Sequence, residues 1–379
     1  MINNFKKFFF YYLSLLFIFC FIYLVKKHDV GNDSTISEWI INYSGGFTKR
    51  GIIGEICILI ANTFNISLRD TILIFQIIIV ALYFVLLFIL IKDIKTNRIL
   101  IFSVFSPIFI LYPVAEVEVL ARKEVFIFCI FIFYLFINNP FLRNLYKVIF
   151  LSLAVLIWEP VVFYFIFFLA VDVIDNKWES IDKKFFLNLT FYFPAILIAG
   201  YIALNPISVE NHAILENFLE KNFNETCYMS CGMLKSKASL YAQFEANFEK
   251  YSFEVFFRYF LIILIGFGPL FILLVNSTLK NKNLLFFKKF KNLLFPFLII
   301  LSPALVLFAM GGDWGRFVNI LYVFSILTFF TLYKKNLILL DKEKLKNNFL
   351  NKLKRKLFFF IFIFFCFGWN PKTIITGDV

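Results

Sequence analysis

Long apolar runs recur along this chain and constrain its fold more than any other feature. A helix has to stay apolar for about 20 residues to cross the hydrocarbon core of a bilayer. The runs lie near 8–25, 72–91, 99–112, 125–137, 148–171, 185–204, 254–275, 293–310, 317–333 and 357–369. With 61% hydrophobic and only 17% charged residues, the chain also departs from the composition of soluble domains. We therefore predict an all-α transmembrane bundle that forms a single domain over residues 1–379.

Two apolar segments leave the number of spans open. The amphipathic run 51–64 contains Glu55, and the run 148–171 has Trp158-Glu159-Pro160 at its middle. Proline breaks helices and a carboxylate is costly inside a bilayer, so 148–171 is either two short helices or one kinked helix. A re-entrant 51–64 and a divided 148–171 give about eleven spans, within a range of ten to twelve. The alternative arrangement makes 51–64 a span, keeps 148–171 whole and reverses only residues 65–147.

The basic residues predict an orientation. The formal net charge is +13, but Lys and Arg cluster between apolar runs, chiefly at 280–291 and 334–356. Cytoplasmic loops of membrane proteins have this bias, so it favours contact with anionic lipids and argues against nucleic acid. We predict a multi-pass protein of the bacterial inner membrane with a cytoplasmic N-terminus and a retained first span. Segments 26–50 and 205–253, the latter about 50 residues long, are then outside, and the basic loop 334–356 is inside.

Polar residues concentrate at the predicted outer ends of the spans. The first outer segment contains Asp29, Asp33 and Glu38, followed by Gly45-Gly46-Phe47-Thr48-Lys49-Arg50-Gly51. The glycine pair permits a tight or positive-φ turn, and N–H groups at a helix start together with Lys49 and Arg50 suit a phosphate. An ordinary loop with snorkelling cations is the simpler alternative.

Two further clusters have the same outer position. In Gly311-Gly312-Asp313-Trp314-Gly315-Arg316-Phe317, Asp313 and Arg316 either pair with each other or bind a lipid-linked phosphate, with Asp313 orienting it or a sugar hydroxyl. The charged residues between two spans form the other cluster: Glu116, Glu118, Arg122 and Lys123. They are either a plain loop or part of the same polar cavity, to which Glu159 would then also contribute.

The cysteines and the missing motifs narrow the chemistry. Four of the six cysteines lie in apolar runs, whereas Cys227 and Cys231 share the larger outer segment, where an oxidising compartment favours a disulfide. The two histidines, His28 and His212, are too few to predict a zinc site, so no metal site is predicted. The sequence has no P-loop, dinucleotide fingerprint, nucleophile elbow or H-E-x-x-H, which leaves ATP hydrolysis, nicotinamide chemistry and zinc proteolysis without support.

The layout resembles that of the polytopic membrane glycosyltransferases of the C fold class and of the O-antigen polymerases. The resemblance covers most of the chain in architecture, and the motifs that carry it are the two glycine-framed segments at 45–51 and 312–316. It implies a polyprenyl-phosphate-linked sugar donor and a glycan or lipid acceptor in a membrane. Two features depart from the family pattern: the first outer loop has no adjacent acidic dyad, and no large C-terminal periplasmic domain follows.

The resemblance also implies roles for individual residues. Asp29, Asp33 and Glu38 occupy the acidic first-loop position, with Asp33 or Asp29 as general base. The implied phosphate and donor ligands are Lys49, Arg50, Arg316, Asp313, Arg122 and Lys123. The further cavity residues are Glu116, Glu118 and Glu159. No cofactor is predicted, and a divalent ion at the first-loop carboxylates stays an open alternative.

Two other function classes compete with a glycosyltransferase. A transporter or flippase of lipid-linked sugars predicts charges along a central path and helices broken at mid-depth, which Glu55 and Glu159-Pro160 fit. A membrane subunit without chemistry would leave the two glycine-framed charge motifs unexplained.

Overall fold

The computed structural model describes residues 5–28, 34–116, 119–236, 244–245, 247–248 and 250–375, which are mainly helical with very little strand. The helices of the first half are α1 Phe5–His28, α2 Ser34–Ser37, α3 Gly51–Phe64, α4 Leu68–Ile91, α5 Arg98–Val104, α6 Tyr112–Ala115, α7 Glu124–Phe136, α8 Pro140–Tyr146, α9 Ser152–Ile157 and α10 Phe165–Asp175. Those of the second half are α11 Lys183–Thr190, α12 Phe193–Leu204, α13 Val209–Phe223, α14 Met229–Ser236, α15 Phe253–Val275, α16 Leu294–Leu301, α17 Leu305–Met310, α18 Trp314–Lys334, α19 Lys342–Asn347, α20 Phe349–Lys352 and α21 Arg355–Phe367.

Short irregular elements join some of these helices. The connecting turns are a π turn, Lys147–Leu151, between α8 and α9, and two 3-10 turns, Glu159–Tyr164 and Ser302–Ala304. The strands β1 Ser277–Leu279 and β2 Ile338–Leu340 pair antiparallel, with Ser277 opposite Leu340. The described residues therefore confirm the predicted all-α class apart from one small strand pair.

Several helices are long and apolar enough to cross a membrane. Within the described ranges there are five such helical segments: α1, α4, Pro140–Ile157, α15 and α18. The pair α11 and α12, which bends by 47°, adds a sixth if it is counted as one span. Shorter apolar helices, including α3 and α7, fill the rest of the bundle. The chain thus has the helices of a membrane protein.

Helices α1 and α4 run antiparallel and fix the two ends of the bundle. Near the start of α1, Phe9 stacks on Phe88 of α4, and at the other end His28 lies 2.9 Å from Asp70. The start of α4 therefore lies beside the end of α1, and the end of α3, which closely precedes α4 in the sequence, lies on this same side. We call the side that contains His28 the site end and the opposite side the basic end.

The run 148–171 is divided, because the helical path stops at Trp158 and resumes in a 3-10 turn from Glu159. The start of the first half and the end of the second half lie side by side at the basic end. There Arg143 lies 2.6 Å from Asp175, and Lys147 lies 2.9 Å from Asp172. Of the two sequence interpretations, the structure has the pair of helices that meet at Glu159.

Helix α18 is the centre of the bundle. Every residue from Trp314 to Leu332 is buried, although the helix contains Arg316 and Asn319. Asn319 is satisfied because its Nδ2 donates to the carbonyls of Ile108 and Phe109 at 2.9 and 3.1 Å. The first turn of this central helix therefore places Arg316 in the interior of the site end.

Candidate functional site

Arg50 occupies a strained backbone position at the start of α3. It is the N-cap residue and adopts a left-handed conformation with φ 64°, which side chains other than glycine rarely take. Its guanidinium donates from Nε and Nη2 to the two oxygens of Glu159 at 2.8 and 2.9 Å, and from Nη1 to Glu38 at 2.7 Å. Bidentate pairing of this kind is strong and directional, so Arg50 ties three separate segments together.

Arg316 enters the same cluster from the central helix. It lies in the first turn of α18, where the helix dipole disfavours a cation. Three carboxylates compensate for that cost: Glu124 contacts Nη2 directly, Asp313 accepts from Nη1 at 3.1 Å, and Glu38 lies 3.8 Å from Nη2. Arg316 is therefore held by acidic residues from three parts of the chain.

Glu38 links the two arginines and is almost completely buried. Burial by itself raises the pKa of its carboxyl, but Arg50, followed by Arg316, Arg122 and Lys123, outweighs that effect and lowers the pKa to about 2. Glu38 is thus held ionised throughout the physiological range, which suits it to orienting cations better than to accepting a proton.

The turn before α7 supplies two more cations. Lys123 is fully buried and donates from Nζ to the carbonyl of Arg50 at 2.6 Å, while Arg122 lies 3.8 Å from Asp313. Burial lowers the pKa of the Lys123 ammonium to about 8, against the opposing effect of Glu38. Ala121 in this turn is left-handed at φ 51°, and its carbonyl accepts a hydrogen bond from the Trp39 indole at 3.2 Å.

We call these eight residues the charge cluster. Among the described residues it contains four cations and four carboxylates: Arg50, Arg122, Lys123, Arg316, Glu38, Glu124, Glu159 and Asp313. Buried charges are stable only when they are paired, so the balance explains how the cluster exists in an apolar bundle. Glu38 Oε2 and both Glu124 oxygens nevertheless form no hydrogen bond of normal geometry with a described residue. Arg316 Nε and Nη2 likewise form no such bond, so the centre of the cluster has polar atoms of both signs that are not hydrogen-bonded.

Glycines fix the segment that carries Glu38 and Arg50. Gly46 has φ +100°, the positive-φ turn expected of the glycine pair. Gly54 in α3 packs against the backbone of the first outer segment, since a Cβ there would lie 2.0 Å from the carbonyl oxygen of Ile41. This close approach sets the distance between α3 and the Trp39–Ile41 stretch, and hence the position of Arg50 beside Glu38.

An apolar crevice begins where the charge cluster ends. It is a narrow crevice with a cavity volume of about 20 Å³ between α1, α4, α7 and α18. Tyr83, Phe84 and Phe128 contribute to its apolar lining, whereas Glu124 and Asn319 are polar. Glu124 thus borders both the crevice and Arg316, which places an anion-binding environment next to an apolar one.

The predicted site residues fall into three groups. Asp29, Asp33 and Glu118 lie outside the described residues. Glu38, Arg50, Arg122, Lys123, Glu159, Asp313 and Arg316 come together in the charge cluster, and Lys49 lies close enough to Glu159 to act on its charge. Glu116 is buried outside the charge cluster, where it accepts hydrogen bonds from Thr373 and lies 3.2 Å from the Lys372 ammonium.

Sequence reasoning did not single out Glu124. The sequence shows five charges within nine residues before an apolar run, and any of the five could have faced solvent. The one available signal was position, because Glu124 is the last charge before the apolar run. It belongs to the first turn of α7, where the helix dipole stabilises a carboxylate.

Two places in the described chain bear on metal binding: Glu38 in the charge cluster, and the group of Cys227, Cys231 and His212. Glu38, the described member of the predicted first-loop carboxylates, faces Arg50 and Arg316, which compete with a divalent ion. Cys227 and Cys231 form a disulfide, as the sequence analysis predicts, and His212 lies beside it.

No protein-family model, curated protein or solved structure matches this chain.

Proposed function

We propose that the chain is a membrane glycosyltransferase that moves a sugar or oligosaccharide from a polyprenyl-phosphate-linked donor to a glycan or lipid acceptor. The observation that carries the proposal is the contact between the charge cluster and the apolar crevice at Glu124. A lipid-linked phosphate needs cations for its head and an apolar surface for its chain, and the two environments adjoin here.

The proposed membrane arrangement has eleven spans in the bacterial inner membrane, with the N-terminus in the cytoplasm and the site end at the outer face. Five helical segments, or six with the bent pair α11 and α12, have the length and hydropathy of a span. The proposal reaches eleven by adding the shorter apolar segments α5 to α6, α7, α10, α16 with α17, and α21. The lysine-rich segments 280–291 and 334–356 lie at the basic end, next to the β1–β2 pair. That bias favours a cytoplasmic basic end.

Binding of a phosphate would change the balance of the charge cluster. Arg316 already holds Glu124 and Asp313, so a donor phosphate at Arg316 would displace a carboxylate and add negative charge. Added negative charge raises the pKa of the displaced carboxyl group and makes it a better proton acceptor. We assign this exchange to Glu124 because its oxygens form no other normal hydrogen bond with a described residue.

The proposed reaction is a transfer at the anomeric carbon. The acceptor hydroxyl oxygen forms the new bond to that carbon, the bond to the phosphate oxygen breaks, and its electron pair leaves with the lipid phosphate. Glu124 takes the hydroxyl proton, or Asp33 or Asp29 does so as the family resemblance implies, and passes it to water. Arg316 and Arg122 stabilise the charge that develops on the departing phosphate.

A flippase for lipid-linked sugars is the second candidate. A buried network at the basic end favours it: the Asp172 carboxylate is fully buried and receives hydrogen bonds from Lys147, Tyr134 and Tyr192. Ionisable residues buried within membrane helices are a feature of transport paths. A membrane subunit without chemistry is the third candidate, and the charge cluster argues against it because buried ion networks cost stability.

A genetic experiment separates these functions. In a deletion strain of the source organism we expect loss or shortening of surface glycan and accumulation of lipid-linked sugar at the outer face. Wild type and Arg98→Gln restore the glycan, whereas Arg316→Gln and Glu124→Gln do not, at equal membrane abundance. Arg98 is the matched control, since its guanidinium binds the Leu353 carbonyl at the basic end.

The other outcomes are equally informative. Lipid-linked sugar confined to the inner face would support the flippase instead. Intact glycan in the deletion strain would contradict both functions.

A further inference from the structure

The disulfide of the larger outer segment lies against a buried histidine. Cys227 precedes α14 and Cys231 lies in its first turn, with the two Cα atoms 5.1 Å apart. His212 on the neighbouring helix α13 is 1% exposed, and its Nε2 lies 3.4 Å from Cys227 Sγ and 3.1 Å from the Cys231 carbonyl. The two sulfurs and one ring nitrogen all lie within 4.8 Å of one another.

In the oxidised state, His212 Nε2 donates to the Cys231 carbonyl at 3.1 Å. Its other ring nitrogen, Nδ1, faces Glu216 Oε2 at 3.9 Å, one helical turn further along α13. That distance is too long for a hydrogen bond, but the carboxylate would favour a proton on Nδ1 once Nε2 binds a metal ion. The nitrogen that donates to this carbonyl also lies beside Cys227 Sγ, so the imidazole is next to both cysteines.

The structure points to a second state of this group. We propose that, when the disulfide is reduced, Cys227, Cys231 and His212 bind one thiophilic divalent ion such as Zn²⁺ through two thiolate sulfurs and Nε2. Three such ligands with a fourth position for water are a standard tetrahedral set. The inference is independent of the proposed transferase function.

An external dithiol is the reductant of the disulfide. The sulfur–sulfur bond breaks, the dithiol supplies two electrons and two protons, and it becomes a disulfide itself. Metal binding then releases the two thiol protons, because the thiolates are the ligands. His212 binds as the neutral imidazole, with its proton moved from Nε2, where it bonds to the Cys231 carbonyl, to Nδ1 on the Glu216 side.

The two cysteines lie where the larger outer segment, 205–253, contacts the first outer segment, 26–50. The Ser230 amide donates to Ser37 Oγ at 3.0 Å, and Ser37 is the neighbour of Glu38. On the other side, Glu225 forms a bidentate pair with Arg69 at the start of α4. The state of the two cysteines therefore acts on a loop that is anchored to both α2 and α4.

Cobalt binding tests the proposal on the full chain in detergent. The protein is reduced with a dithiol, freed of it under anaerobic conditions and titrated with Co²⁺. We expect one Co²⁺ per chain, with thiolate-to-cobalt charge-transfer bands that Zn²⁺ abolishes, and no such bands without reduction. Cys231→Ser should lose the bands, and His212→Ala should weaken binding at least about tenfold.

The chain contains matched controls for both variants. His28→Ala removes the other histidine of the sequence, and Cys366→Ser removes a buried cysteine outside the group. Both should bind Co²⁺ as the wild type does. Failure of the reduced wild type to bind Co²⁺, or wild-type binding by His212→Ala, would overturn the proposal.

A measurement on the wild type alone guards against variants that fail to fold. Zn²⁺ should protect Cys227 and Cys231 of the reduced protein from alkylation, as read by mass spectrometry of the peptide that contains both. Equal alkylation with and without Zn²⁺ would also overturn the proposal.

Discussion

Arg50 is held by different neighbours at its backbone and at its side chain. Its left-handed backbone costs on the order of 1–3 kcal/mol, and its carbonyl accepts from Lys123 while its guanidinium grips Glu159 and Glu38. These two carboxylates, despite burial, raise the pKa of the guanidinium above its ordinary value. A residue fixed this completely is pre-organised, so it can position a ligand without first being ordered.

Lys123 gives a prediction about pH. Its pKa is about 8 in the folded protein and about 10.5 when unfolded, so between these values the unfolded chain binds more protons. The free energy of unfolding should therefore rise as the pH increases from 8 toward 10.5, by at most about 1.4 kcal/mol per pH unit from this group. Denaturant unfolding of wild type and Lys123→Met in detergent, compared across that window, measures the contribution.

The control for this prediction is a solvent-exposed lysine. Lys346 is exposed, and Lys346→Met should follow the wild-type pH profile. Parallel profiles for the wild type and Lys123→Met would show that burial does not affect Lys123 in the way described.

At the scale of elements, the packing of α3 depends on one glycine. A Cβ at Gly54 would lie 2.0 Å from the Ile41 carbonyl oxygen and 2.7 Å from that of Trp39, and both atoms belong to backbone that cannot yield easily. We expect Gly54→Ala to destabilise the protein by about 1–3 kcal/mol and to lower its thermal unfolding midpoint in detergent.

Gly200 is the matched control for this substitution. It lies in α12, and a Cβ there would meet no heavy atom within 4 Å. Gly200→Ala should be neutral or stabilising by up to about 1 kcal/mol, because alanine favours a helix. If the two variants unfold at the same temperature, α3 does not pack as tightly as its geometry indicates.

The helices were predictable only in part, because apolarity marks the runs but not their breaks. The run 293–310 reads as continuous, yet a 3-10 turn at Ser302–Ala304 separates α16 from α17. The run 99–112 contains the seven-residue α5 followed by turns. In a chain this apolar, residues that face lipid and residues that face the core have the same composition, so periodicity does not distinguish them.

For the whole molecule, the proposed eleven spans predict which side each loop faces. Asn205 follows α12 at the site end, whereas Lys95 and Lys346 are at the basic end, and all three are exposed. A membrane-impermeant maleimide should label Asn205→Cys in intact cells. It should label Lys95→Cys and Lys346→Cys only after permeabilisation, since the native cysteines are buried.

Lys95 separates the two sequence arrangements. The alternative that makes 51–64 a span and keeps 148–171 whole puts residue 95 outside. Labelling of Lys95→Cys in intact cells would therefore contradict the eleven-span proposal, even if Asn205 and Lys346 behave as expected.

The candidate site was predictable as a list of residues but not as a structure. Glycine-framed charges at the ends of spans marked both Arg50 and Arg316. The partners were out of reach, because the Arg50–Glu159 pair joins positions 109 residues apart and ridge packing of helices decides such contacts. Glu124 shows the same limit, since its importance comes from facing Arg316 and not from its neighbours in sequence.

The charge cluster also determines when the site can form during synthesis. Glu38 is made early, but its partner Arg316 follows 278 residues later, which takes roughly 15–55 s at ordinary translation rates. Until then the nascent chain carries Glu38, Arg50 and Glu159 without the central helix that completes their surroundings. The charge cluster is therefore complete only after α18 has been made, and a chain truncated before residue 316 would lack the arginine that its carboxylates surround.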